Sequence, residues 1–208
     1  FAAGILADYV AHLWHVPHTI YRVGAIPPLD ANGFVWVLAA GLAFGLVAWL
    51  FSHGMHSLSD TFKRIIPHPI MRPVVGGVIL AVAFYFLGTR YAGLGVPVIE
   101  QAFSVQPGPH EFALKVAFTI LTLAAGFKGG EVTPLFFIGA ALGSTLSLVL
   151  PLPVGLLAAM GFVAVFAGAT NTPLACTIMA MELFGAGTGI YAALACVVAY
   201  LASGKATI

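Results

Sequence analysis

The residues whose types and spacing suggest the most chemistry are Gly126-Phe-Lys-Gly-Gly-Glu-Val-Thr-Pro134. This glycine-rich break carries Lys128 and Glu131 and stands at the head of an uncharged run from Val132 through Met181. Gly129 and Gly130 let a backbone come close to a solute. Pro134 suits a first helical position, where its missing N–H costs nothing. The N–H groups around Glu131, Val132 and Thr133 would then lack intrahelical acceptors and lie at the positive end of a helix dipole. In a membrane, such a broken-helix N-terminus suits a small anion. The same residues also fit a tight turn between two spans, with Gly as a C-cap.

Thr133-Pro134 recurs in form at Thr172-Pro173, each placing a hydroxyl at an N-cap with Pro at the first helical position. Capping alone accounts for both. In an anion site, a Thr hydroxyl and backbone N–H groups can instead replace the water shell of the ion. A smaller, more strongly hydrated anion needs more such donors. Glu131 would compete with an anion unless it points away, is protonated or pairs with Lys128. Ionisable groups at membrane depth mark ion or proton paths; the plainer alternative is a Lys128–Glu131 ion pair near the membrane face. Glu182 reads as a buried hydrogen-bonded or interfacial group first and a relay second.

Other side chains offer less. His12 and His15 share a helical face, but Pro17 turns His18 away, and only Asp8 stands near as a carboxylate. An interfacial histidine and aromatic belt beside Trp14 is expected there, with no metal. His53 and His56 lie beside Ser52 and Ser57, but no Gly-x-Ser-x-Gly elbow accompanies them, so no enzyme and no cofactor is expected. Cys176 and Cys196 sit in apolar stretches and read as reduced packing residues.

The elements that position these residues belong to a membrane protein. Hydrophobic residues make up 61% of the chain and charged residues 7%, with a mean hydropathy of +1.04. No ordinary soluble domain approaches these values. The apolar runs are too continuous for a β-barrel, which leaves an all-α integral membrane protein in a lipid bilayer. The net charge of +1 comes with no basic stripe, which argues against a nucleic-acid partner.

Helices are expected over 1–15, 33–66, 73–87, 112–125, 134–150, 154–167, 174–184 and 190–202. A polar connector is expected at 89–109. Many of these helices are shorter than the ~20 residues of a perpendicular span. Short helices broken by Gly or Pro occur where backbone lines a cavity. Small residues at helical spacing (Gly139, Gly143 and Ser147; Ala39, Ala43 and Ala48) predict close helix packing. Lys63, Arg64 and Arg72 favour a cytoplasmic loop, although re-entrant helices leave the orientation open. The chain opens at Phe1 inside an apolar helical pattern and stops at Ile208 soon after a span, so it reads as part of a longer chain.

Gly129-Gly-Glu-Val-Thr-Pro-Leu135 occupies the place of the Gly-x-Phe-x-Pro signature of CLC chloride channels and transporters. Thr172-Pro-Leu-Ala-Cys-Thr-Ile-Met-Ala-Met-Glu-Leu-Phe184 resembles a later CLC helix that begins near a Pro and ends with a Glu. The string Gly-Phe-Lys-Gly-Gly-Glu-Val-Thr-Pro-Leu-Phe is closer to the fluoride-exporting branch than to the chloride branches. The likeness covers essentially all of 1–208, as the C-terminal half of such a subunit.

The resemblance implies short, tilted and broken helices forming one of two inverted repeats plus flanking helices. It also implies a homodimer through segments 174–184 and 190–202, in a bacterial inner membrane. Fluoride export coupled to proton entry is the implied activity; chloride/proton exchange or a chloride channel is the alternative. Glu131 matches the fluoride branch's acidic residue and Thr133 its pore hydroxyl. The amides at Glu131 and Val132 align with those that face the anion, next to Gly129 and Gly130. Asn171 and Thr172 match a structural loop. The family's gating Glu falls in the N-terminal half, and its central Tyr is expected just after Ile208. Tyr191 and Tyr200 are not substitutes for it. This chain alone is therefore expected to transport nothing.

Overall fold

The computed structural model describes residues 2–16, 21–105, 108–204 and 208. Among them the chain is all-helical. The helices are α1 (Ala2–Leu13), α2 (Ala31–Ile65), α3 (Met71–Leu87), α4 (Val96–Ala102), α5 (Glu111–Ala124), α6 (Val132–Leu146), α7 (Val154–Thr170), α8 (Pro173–Phe184) and α9 (Gly189–Ser203). Short 3₁₀ turns occupy Thr89–Tyr91 and Ala186–Thr188. Two segments, 31–65 and 186–203, are long and apolar enough to cross a bilayer.

α2 starts two residues before the sequence suggests, because Asp30 caps it. The Gly33 N–H donates to the Asp30 carboxylate at 2.6 Å, a bond worth about 1 kcal/mol to a helix start. At its other end the Arg72 guanidinium donates to the carbonyls of Ile66 and Pro67 at 2.9 and 3.1 Å, satisfying groups the helix leaves open. The buried stripe of α2 runs through Val37, Ala40, Gly41, Phe44, Gly45, Ala48 and Phe51, at three- and four-residue intervals. Of the expected Ala39, Ala43 and Ala48 stripe only Ala48 lies on this line; Ala39 and Ala43 are half-buried beside it.

α7 is apolar all round and is buried all round, the place such a helix must take. It packs on α6, α2, α9 and α8. Its contact with α6 is backbone to backbone: a methyl on Gly139 would collide with the carbonyl of Gly161, and one on Gly143 with that of Leu157. The small-residue spacing of α6 thus does what it predicts.

One helix lies outside the expected set. The connector 89–109 holds α4, which buries Val98, Ile99 and Ala102. Gly93, Gly95 and Pro97 read as breakers, yet Pro97 falls in the first turn, where a missing N–H is harmless. Seven residues carry too little periodicity to declare a helix without the core they pack on.

Candidate anion site at the glycine break

α5 ends into the break through Gly126. The N–H of Ala125 donates to Leu121 and that of Gly126 to Leu123, both at 3.0 Å, and Gly126 takes φ +95. That left-handed conformation strains any residue with a Cβ, so the expected C-cap role belongs here. Gly129 and Gly130 are different. Neither lies in the left-handed region, and a methyl on either would meet nothing within 4 Å. Their lack of side chains leaves bare, exposed backbone facing open space.

α6 begins at Val132, with Glu131 as its N-cap residue. Thr133 is therefore inside the first turn and Pro134 is its third residue, two places later than expected. Pro tolerates this because first-turn N–H groups have no intrahelical acceptor. No side chain caps the helix, and the Leu135 N–H, 3.2 Å from the Glu131 carbonyl, begins the ladder. The amides of Val132 and Thr133 are left as donors at the positive helix end. Among the described residues no ion pair joins Lys128 to Glu131.

Two cavities flank the break. One of about 330 Å³ lies toward α3, residues 91–94 and α5, and includes Lys128, Gly129 and Gly130 in its wall. The other, about 270 Å³, lies toward the polar end of α2 and is lined by His56, Asp60, Lys128, Gly129 and Glu131. Leu123, Phe127, Lys128 and Gly129 line both and form the partition between them. Glu131 is half-buried on one side; Val132 is exposed and Thr133 half-buried at the helix start, lining neither space.

Lys115 lies outside the residues expected at the site. It is 2% exposed on α5 and lines the larger cavity. Its ammonium donates to the carbonyls of Tyr91 and Gly93 at 2.9 and 2.7 Å, and lies 5.0 Å from the centre of the Phe137 ring. A lone lysine in the apolar stretch Phe112-Ala-Leu-Lys-Val-Ala-Phe is the signal that could have found it, since buried ionisable groups in such helices are costly. One turn earlier, Glu111 is engaged by Arg90, whose guanidinium donates at 3.1 Å.

The second break is turned in on itself. Thr172 precedes Pro173, which is the first helical residue as expected, but its hydroxyl caps no N–H. It lies 2.6 Å from the Thr170 hydroxyl and 3.5 Å from the Cys176 sulfur. It lines neither cavity at the break. Glu182 is exposed near the end of α8, which agrees with the interfacial position and shows no burial within this chain. Cys176 and Cys196 are buried free thiols. The Tyr191 hydroxyl donates to the Pro27 carbonyl at 2.8 Å, a packing role.

His12 contacts Asp8, while Pro17 and His18 lie outside the described residues. Among the described residues no three metal-ligating side chains converge. The Nδ1 atoms of His53 and His56 lie 3.1 and 2.7 Å from the carbonyls of Trp49 and Ser52. The Ser52 hydroxyl is buried without a partner, so no serine–histidine pair forms there.

Residues 1–204 match the voltage gated chloride channel family. The chain belongs to that family. It is 48% identical, over 97% of its length, to a "Chloride/fluoride channel protein" of Pseudomonas syringae pv. tomato, of which it covers 46%. It superposes on the crystal structure of a CLC-type fluoride/proton antiporter with a TM-score of 0.92 and 34% identity, covering 97% of this chain and 52% of that one. A slow cyanobacterial Cl⁻/H⁺ antiporter shares the fold at TM-score 0.76 and 18% identity, with 96% and 50% covered. The chain spans about half the length of the CLC relatives it matches. CLC chains are membrane transporters and channels for anions, and the bacterial relatives support a cell-membrane location.

Proposed function

We propose that this chain is the C-terminal half of a fluoride/proton antiporter subunit. The observation that carries the reading is the uncapped start of α6, where bare glycine backbone, free amides, a hydroxyl and a carboxylate share one break. Fluoride is small and holds its water tightly, so a site for it must offer many donors. The backbone N–H groups of Gly129, Gly130, Glu131 and Val132, with the Thr133 amide and hydroxyl, supply them within five consecutive residues. The likeness to a fluoride/proton antiporter over nearly the whole chain supports this choice over a chloride carrier.

Glu131 gives the coupling. Its carboxylate stands at the positive end of α6, where a negative charge is favoured and an incoming anion is opposed. Protonation removes that opposition and adds an O–H donor, so anion passage and proton movement become linked at one side chain. The rest of the same subunit supplies the inverted half and completes the path. The subunits pair through segments 174–184 and 190–202, where Leu174, Ile178, Ile190 and Leu201 are exposed apolar residues. The whole is a multi-pass protein of a bacterial inner membrane.

The test is ion efflux from liposomes holding the full-length protein, with Thr133→Ala and Glu131→Gln beside the unaltered form. Fluoride efflux should exceed chloride efflux, and each substitution should impair it. Equal or reversed selectivity would move the protein to the chloride/proton exchangers or channels. Efflux indifferent to both changes would remove these residues from the path.

A further inference from the structure

The larger cavity beside the break has two lysines in its lining and, among the described residues, no other charged residue. Lys115 and Lys128 both line it, and no carboxylate is among the described residues of its wall. The nearest acid on α5, Glu111, is held by Arg90 and does not pair with Lys115. The partners that Lys115 does have are two carbonyls and the face of Phe137. These carry dipoles and a quadrupole but no net charge, so among the described residues no anionic group pairs with the Lys115 amine. A buried ammonium with no anionic partner is costly, so an anion entering the cavity would meet it favourably. The Thr119 and Thr122 side chains and the bare backbone of Gly129 and Gly130 complete the polar part of the wall.

We propose that this cavity is a collecting site for a small monovalent anion, in which Lys115 and Lys128 gather the ion at the bare backbone of Gly129 and Gly130, ahead of the start of α6. The proposal rests on the reading of the break as the anion path and adds a separate station with its own residues. Lys115 has a second duty, since its two hydrogen bonds fasten residues 91–93 over α5. Charge and fastening can be separated. Glutamine keeps an N–H donor for a carbonyl but removes the charge, and arginine keeps both. A cleft of one sign raises local counter-ion concentration by about tenfold or more, an effect that shows in KM for the ion rather than in the maximal rate.

Fluoride efflux from liposomes containing the full-length protein, measured over a range of fluoride concentrations, tests this for Lys115→Gln, Lys115→Arg and Lys128→Gln. Lys115→Gln should raise KM about tenfold with the maximal rate within about threefold of the unaltered protein, and Lys115→Arg should restore KM. Lys128 is exposed, so Lys128→Gln reads the same site without disturbing the core, and it should raise KM in the same sense. An unchanged KM in Lys128→Gln together with equal losses in both Lys115 variants would make Lys115 a fastener only and overturn the proposal. So would an unchanged KM in Lys115→Gln. If Thr133→Ala and Glu131→Gln impair efflux while the lysine changes do not, the break stands as the path and this collecting site alone fails. If neither set has an effect, the path itself lies elsewhere.

Discussion

Gly130→Ala separates the needs of the fold from those of the ion. The added methyl meets nothing within 4 Å, and Gly130 does not sit in the left-handed region, so neither overpacking nor backbone strain opposes it. Removing a glycine's freedom from the unfolded chain at such a position stabilises a protein by about 0.4–1 kcal/mol. The melting temperature should therefore stay level or rise slightly. Transport should behave oppositely. The methyl enters the open space over the bare backbone and blocks approach to a neighbouring N–H. One lost hydrogen bond to a charged partner is worth roughly 1.5–3 kcal/mol, or about 10- to 150-fold in affinity. The assay is fluoride efflux against concentration for the full-length protein, paired with a thermal melt. An unaltered KM would refute the idea that an ion approaches Gly130. A lowered melting temperature would also refute it, because protein rather than ion would then occupy the space.

Two further predictions concern the frame around the site. Gly139→Ala drives a methyl into the Gly161 carbonyl where α6 meets α7, and should destabilise by about 1–3 kcal/mol in a thermal or denaturant melt. A neutral result would mean that the two helices stand further apart. Arg90→Met leaves the buried Glu111 carboxylate without its cation and should lower stability by about 1–2 kcal/mol, reduced from a fully buried pair because Arg90 is half exposed. Adding Glu111→Leu to that variant should recover part of the loss; no recovery would show that the pair is not the source.

The sequence by itself determined the class and singled out the break that is proposed as the site. Continuous apolar runs with 7% charge leave no option but helices in a bilayer, because backbone polar groups must be satisfied internally there. The break 126–134 stood out because glycine and charge are both rare inside such runs. Helices α5 to α9 matched expectation within a few residues, since Gly and Pro at their ends act locally.

Tertiary structure decided the rest. Which glycines serve the fold could not be read from composition: Gly126 needs its left-handed backbone and Gly139 its close neighbour, whereas Gly129 and Gly130 meet neither constraint. The start of α6 moved from Pro134 to Val132 because proline's penalty depends on whether an acceptor exists, which only the built helix tells. Lys115 remained hidden for a deeper reason. Its partners, Tyr91 and Gly93, lie more than twenty residues away, and burial of a charge is a property of the packed chain rather than of its neighbours in sequence.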